Sequence, residues 1–386
     1  MDNISVITRK FVSHFHSQPV VVRSPARINL IGEHTDYNLG YVLPAAIDKE
    51  IIFAVAPNHV GKYRFFAHDI DKYVEISPEQ ISQQKGQFAW ANYLLGVVLQ
   101  IQALGYEVPT FDCAFGGDIP KGAGLSSSAA LECGLALALN QIFGFELDKL
   151  SLVKLSQKAE NEFVGVKCGI MDQFANTFGK ENHVIRLDCK DLTYQYFPLQ
   201  LTDYQLLLLD TGVHHSLASS EYNTRRKQCE EGVSILSYYE PHIQSLRDVN
   251  FSILDKYSDK LPFTLWKRCK FVIEENERVQ DVCNALQNND ILQVGKKMFE
   301  SHYGLQYEYE VSCIELDFLA EFSANDSNII GARMMGGGFG GCTINLVRKQ
   351  GVEAFSAKIK EAYFSYTSKE LKVYAVNVVN GTSVVS

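Results

Sequence analysis

Four ionisable residues, Arg27, Glu33, His34 and Asp36, fall within the short stretch PARINLIGEHTDYNLG, Pro25 to Gly40. Carboxylates accept hydrogen bonds only, whereas an imidazole can donate or accept. At near-alternate positions on an extended or turning backbone, such groups can converge on a polyhydroxylated ligand. A solvated loop is the plainer reading of the same residues. It sits badly with Leu30, Ile31 and Gly32, which lie inside the stretch and favour an interior place.

A second motif, PKGAGLSSSAALE, runs from Pro120 to Glu132. Gly122 and Gly124 allow close backbone approach, with Ala123 between them and Leu125 following. Ser126, Ser127 and Ser128 then open a helix of small residues. Unsatisfied N–H groups and the positive end of a helix make a ready anion site there. The hydroxyls add donors or a Mg²⁺ ligand. The alternative, a loop whose serines only cap the helix, stays open on this motif alone. A Walker A loop is absent, because Ala123 stands where its lysine belongs, and no GxGxxG follows the first strand. A third cluster, GGGFGG from Gly336 to Gly341, suggests backbone passing close to a ligand or another loop, or else a tight hairpin in a crowded sheet corner. Two acids complete the set. Glu160 lies late in an expected helix, and Asp172, flanked by Met171 and Gln173 with Phe174 nearby, reads as partly buried. Arg27 is expected to pair with Asp172 and favour its charged form.

These residues need a mixed framework to bring them together. Residues 4–16 have helical spacing, and PVVVRSPA reads as a strand broken at Pro25. YVLPAAIDKEIIFAVAPN and KYRFFAHD read as strands, with Pro44 pointing to an edge or bulge. Helices are expected over WANYLLGVVLQIQALG, SSSAALECGLALALNQIFG, ELDKLSLVKLSQKAENEFVG and GIMDQFANTFG. HVIRLDC, YQYFPLQL and YQLLLLDTG return to strand character. From about Ser216 the pattern is mostly helical, until a glycine turn running into a strand, one more helix and the strand LKVYAVNVV. Strands and helices without a regular βαβ beat indicate an α+β protein. A length of 386 residues favours two domains.

A net charge of −9 argues against nucleic acid or an anionic membrane as partner, so an anionic ligand has to be met by a local donor cluster. No apolar run is long enough to span a bilayer, and the N-terminal stretch lacks the apolar core of a signal peptide. Nine scattered cysteines without a CxxC pair read as reduced thiols of a cytoplasmic protein. Without an obvious coiled coil, a monomer is expected.

With the three motifs in this order, the chain resembles the GHMP superfamily of small-molecule kinases from Arg23 to Val379. RINLIGEHTDYNLG and HHSLASSEYNTRRKQCEE make it similar to the galactokinases within that superfamily. The resemblance implies an N-terminal domain like ribosomal protein S5 domain 2 (1–185), which binds sugar and ATP, and a ferredoxin-like C-terminal GHMP domain (186–386). The active site would lie in the cleft between them. It implies Glu33, His34, Thr35, Asp36, Asp172 and Tyr222 at the sugar, and Gly122, Ala123, Gly124, Leu125, Ser126, Ser127 and Ser128 at ATP. Mg²⁺ would be held by Ser128 and Glu160, and Asp172 and Arg27 would be catalytic. The implied reaction is ATP-dependent phosphorylation of α-D-galactose at its C1 hydroxyl, giving galactose 1-phosphate and ADP, the entry step of galactose breakdown. A related sugar-1-kinase acting on N-acetylgalactosamine or arabinose, and a non-catalytic galactose and ATP sensor, are the alternatives. Two departures from the family pattern stand out. Ala26 replaces a glycine, with strain expected if that position takes a positive φ, and Met335 replaces a threonine before the last glycine cluster.

Overall fold

The chain opens with helix α1 (Asn3–Phe15), whose Ile7, Phe11 and Phe15 recur every fourth residue and are buried. Asp2 caps it by accepting the Ser5 N–H at 2.9 Å. The computed structural model describes residues 2–120, 122–214 and 218–385. Lys121 of the serine motif and Ser216, where the sequence suggests a helix start, lie outside the described residues.

Strands β1 (Val20–Asn29), β2 (Tyr41–Val42), β3 (Pro44–Pro57), β4 (Tyr63–Ala67) and β5 (Lys72–Ile76) come next. Helix α2 (Ala91–Ala103), strand β6 (Phe111–Gly117) and helices α3 (Ser127–Phe143), α4 (Lys149–Lys158) and α5 (Met171–Phe178) follow. A π-helical turn continues α4 from Ala159 to Val164. One six-stranded sheet includes β1 and β3 to β6, in the order β1-β3-β6-β4-β5. All its pairings are antiparallel except β4 with β6. Strand β3 is interior, and both its faces are covered. Ile51, Phe53 and Val55 pack with α2 and α3 residues, while Ile52, Ala54 and Ala56 pack with α1. Burial on both faces explains why the strand reads as a continuous apolar run.

Two expectations are corrected here. β1 does not stop at Pro25 but runs on to Asn29, with its register to β3 shifting between Pro25 and Ala26. The irregularity takes up a residue that cannot donate to the ladder. Pro44 marks neither an edge strand nor a bulge. It is the first residue of an interior strand, another place where proline is tolerated. Ala26 is buried in β1 and takes no positive φ, so it carries no strain.

Strands β7 (His183–Asp188) and β8 (Tyr194–Pro198) form a small sheet with β2. The rest of the chain is β9 (Tyr204–His214), α6 (Ala218–Tyr239), α7 (Phe251–Lys256), α8 (Phe263–Gln287), α9 (Ile291–Tyr303), α10 (Ile314–Ala324), β10 (Ile329–Met335), β11 (Gly340–Arg348), α11 (Val352–Thr367), β12 (Lys372–Val376) and β13 (Ser383–Val384). An antiparallel sheet with order β10-β11-β9-β12 carries α9, α10 and α11. Its β9 shows the same two-sided burial, with Leu206 and Leu208 in one core and Leu207 and Leu209 in another. The last strand, β13, leaves this half and pairs with β1 at Val22 and Arg23.

One core spans both halves. It contains Leu30 and Ile31 of the opening motif, Ala123 and Leu125 of the serine motif, Val279 and Val282 of α8, and Met335 of β10. The apolar residues inside the polar motifs therefore anchor them to one another. Met335, just before the last glycine cluster, is buried in this core.

Candidate active site

Arg27 sits on β1 and Asp172 in the first turn of α5, yet their side chains meet as a bidentate pair, Nε to Oδ1 at 2.7 Å and Nη2 to Oδ2 at 2.9 Å. Parallel N–H donors on a planar fork make such a pair directional. The third arm of Arg27, Nη1, donates to the carbonyl of Gly124 at 2.6 Å. Ser126 donates its hydroxyl to Asp172 Oδ2. Ser126 has the left-handed backbone of φ 56° and no capping bond, so its hydroxyl serves Asp172 rather than the end of α3. The plainer reading, serines that only cap the helix, does not apply to it. Gly122–Ser128 leads into the first turn of α3 and touches the Arg27–Asp172 pair from one side.

On the other side is a cleft of about 500 Å³, within the range for small-molecule sites. It is lined by Arg27, Glu33, His34, Asp36, Glu160, Asp172 and Tyr222, by the loop Gly165–Gly169 and by Gly336, Gly337 and Gly338. Glu33 is held by one oxygen, Oε1, which accepts from Arg333 Nη2 at 3.0 Å and the Gly336 N–H at 2.8 Å. His34 takes its Nδ1 contact from the Tyr37 hydroxyl at 2.7 Å, and its buried Nε2 has no hydrogen-bond partner among the described residues. Burial and the nearby Arg225 push the His34 imidazole down to about 3, so the ring is neutral in the folded protein. Asp36 moves the opposite way, up to about 7, through burial and the adjacent Asp172. The Tyr222 ring stands 5.4 Å from that of His34 and forms an aromatic wall.

Glu160 also faces the cleft, and burial and Asp172 raise its pKa. Its Oε2 accepts from Gln173 Nε2 at 2.8 Å and from the Cys168 thiol at 3.4 Å, and Ser128 lies within hydrogen-bond reach of its carboxylate. Gln173 also donates to Glu132 Oε2 at 3.1 Å. Burial with Glu160 alongside drives Glu132 well up. Glu160, Glu132 and Asp172 are thus crowded together, and of the three Asp172 is paired with Arg27.

Thr35 is not brought to the cleft. It is fully buried, and its hydroxyl donates to the carbonyls of Gly32 at 2.9 Å and Tyr41 at 2.5 Å, bracing the loop that presents its neighbours. The residues of Gly122–Ser128 do not line the cleft either, but touch its lining residues, Gly124 at Arg27, Ser126 at Asp172 and Ser128 at Glu160. The sequence reading missed Tyr37, Arg333 and the loop at 165–169. The glycine cluster it did flag is the turn between β10 and β11. A side chain at Gly338 would run into the carbonyl of Val311, and φ there is +84°, so both explanations of this cluster hold together.

A galactokinase galactose-binding signature matches residues 9–57, a GHMP kinase N-terminal domain 92–180 and a GHMP kinase C-terminal domain 284–365. The galactokinase of Thermotoga neapolitana is 43% identical over 360 residues, covering 93% of this chain and 98% of that protein. The chain belongs to the galactokinase family. A Roseiflexus galactokinase is 38% identical over 376 residues, covering 97% of this chain and 95% of its own. The crystal structure of Lactococcus lactis galactokinase complexed with galactose superposes with a TM-score of 0.94 at 34% identity, covering 99% of both chains. Methanococcus jannaschii mevalonate kinase, at 16% identity and a TM-score of 0.68, shares the fold. The architecture of this galactokinase-family chain is therefore the two-domain GHMP kinase fold.

Proposed function

We infer that the protein transfers the γ-phosphoryl group of ATP to the C1 hydroxyl of galactose. The observation that carries this reading is the single cleft shared by the Arg27–Asp172 pair and by Glu33, His34 and Asp36, in a chain that matches the galactose-binding signature. The two carboxylates and the unpartnered imidazole nitrogen supply acceptors and a donor or acceptor for hydroxyls, and Tyr222 covers an apolar sugar face. Asp172 accepts the proton of the attacking hydroxyl. Arg27 fixes that carboxylate, bears on the charge of the transferring group, and ties the pair to the phosphate loop through Gly124. Because phosphoryl transition states are loose, this geometry acts chiefly by positioning. We assign Gly122–Ser128 and the start of α3 to the phosphates of ATP.

The residues present fit Mg²⁺. A serine hydroxyl and a carboxylate lie together at Ser128 and Glu160, among acids whose crowding a cation would relieve. Among the described residues no group of three His, Cys, Asp or Glu could hold a metal unaided, which suits an ion bound largely through phosphates and water. Bound there, Mg²⁺ would neutralise charge on the β- and γ-phosphate oxygens.

A complete phosphate loop together with Asp172 favours an enzyme over a sensor. Coupled ADP release measured over a panel of sugars tests the reading. Galactose should be the best acceptor among galactose, N-acetylgalactosamine, arabinose and glucose. Equal or faster turnover of N-acetylgalactosamine or arabinose would reassign the substrate, and sugar binding without ADP would reinstate the sensor.

A further inference from the structure

Glu33 meets the cleft with one carboxylate oxygen because the other is gripped from behind. Arg333 on β10 is wholly buried and does not line the cleft. Besides Glu33 Oε1, it donates to the carbonyls of Leu30 at 2.9 Å, Met334 at 2.7 Å and Asn29. A second buried group, Glu275 on α8, holds the backbone of the same loop. Its Oε1 accepts the N–H groups of Gly32 at 2.9 Å and Glu33 at 3.4 Å and the Ser301 hydroxyl at 2.7 Å, while Oε2 accepts Arg278 Nε at 2.6 Å. The neighbouring arginines hold the Glu275 carboxyl below the usual range despite its burial. Arg278, Glu275, Arg333 and Glu33 thus form an alternating set of charges, all but Glu33 behind the cleft wall.

A buried ion pair is weak evidence for stability, since well-packed apolar residues of similar volume often serve as well. Its strength is geometric. We propose that Arg333 and Glu275 are positioning residues for the sugar, fixing the Glu33 carboxylate so that Oε2 is presented to a single galactose hydroxyl. This rests on the reading of the cleft as a sugar site. Discrimination follows from the same geometry. A buried carboxylate that cannot turn away is left unpaired by a sugar lacking the hydroxyl, and sites of that kind reject the deoxy analogue strongly.

Steady-state kinetics with galactose and its monodeoxy analogues, on the wild type and on Arg333→Lys and Ser301→Ala, test this. Lysine keeps the charge but loses the planar fork. In Arg333→Lys the KM for galactose should rise about tenfold, with the KM for ATP within about twofold of wild type. Ser301→Ala removes one donor to Glu275 and should raise the galactose KM about threefold. One monodeoxygalactose should be poorly used by the wild type, and Arg333→Lys should narrow that particular preference. Loss of folding stability with an unchanged galactose KM and unchanged deoxy-sugar preference would overturn the proposal. If Arg333→Lys does not fold, the galactose KM of Ser301→Ala decides. A wild type without galactose-dependent ADP release would overturn the sugar reading as well, whereas a normal wild type with unaffected variants would overturn only the positioning role.

Discussion

Asp172 accepts three hydrogen bonds, two from Arg27 and one from Ser126, before any substrate arrives. A carboxylate so firmly placed can act as a base or simply as an orienting acceptor, and Asp172→Asn separates the two. In single-turnover transfer, a base predicts a loss of ~10²–10⁴, and a loss of only about tenfold would demote it to orientation. Asp36 makes a prediction about pH. Ionised, it accepts hydroxyl protons at both oxygens, whereas protonation turns one oxygen into a donor and removes the charge, so kcat/KM for galactose should fall by up to about tenfold per pH unit below about 7, and Asp36→Asn should remove that slope from a lower plateau. An unchanged slope in the variant would assign the titration elsewhere. Stability runs the other way. The folded Asp36 binds its proton more tightly than an unfolded carboxyl does, so this group's contribution falls as pH rises from about 4 to about 7. At this scale the sequence was most informative where charges crowd against apolar residues, as at Arg27 to Asp36. Arg333 stayed hidden because one arginine in an apolar strand carries no spacing signal, and Thr35 was carried along by its neighbours although its hydroxyl turns inward.

Elements explain how distant parts of the chain reach one point. The loop between the π-turn and α5 brings Gly169 so close to Asp36 that a methyl group would collide with its Oδ2 carboxylate oxygen. Gly169→Ala should therefore raise the galactose KM by about tenfold or more while leaving the thermal midpoint close to wild type, since only a cleft residue has to move. A normal KM in this variant would show that the Asp36 position matters little. The strand and helix pattern was largely visible beforehand because periodicity reports burial directly. β1 departs from that pattern at Pro25, where a register shift that depends on the partner strand absorbs the proline. No single-strand pattern encodes such a feature.

At the level of the whole molecule, the return of β13 to the first sheet ties the two ends of the chain together. Thr382, just before it, is buried, with its hydroxyl against Ser24 at 3.1 Å and against Asn176. Thr382→Val should cost about 1–3 kcal/mol, read as a lower thermal midpoint with an unchanged galactose KM. An unaltered midpoint would mean that the tail contributes little. This return was not legible in the sequence, where Ser383–Val384 is too short to carry a pattern. Residue 185 falls inside β7, so we propose that the chain divides a little later, between β8 and β9, with a shared core of Leu30, Leu125, Val279 and Met335 keeping the sugar loop, phosphate loop and glycine turn in register.

The central claim is that the acid at 172 acts on the hydroxyl at C1 of galactose while the polar groups of the opening motif hold the sugar's other hydroxyls in the same cleft. Phosphorus NMR of the product formed from ATP, Mg²⁺ and galactose labelled with carbon-13 at C1 tests it most directly. A phosphate resonance coupled to that carbon, appearing with ADP and lost in Asp172→Asn, is the predicted result. Phosphate on any other oxygen, or no phosphorylated sugar from the intact protein, would contradict the account.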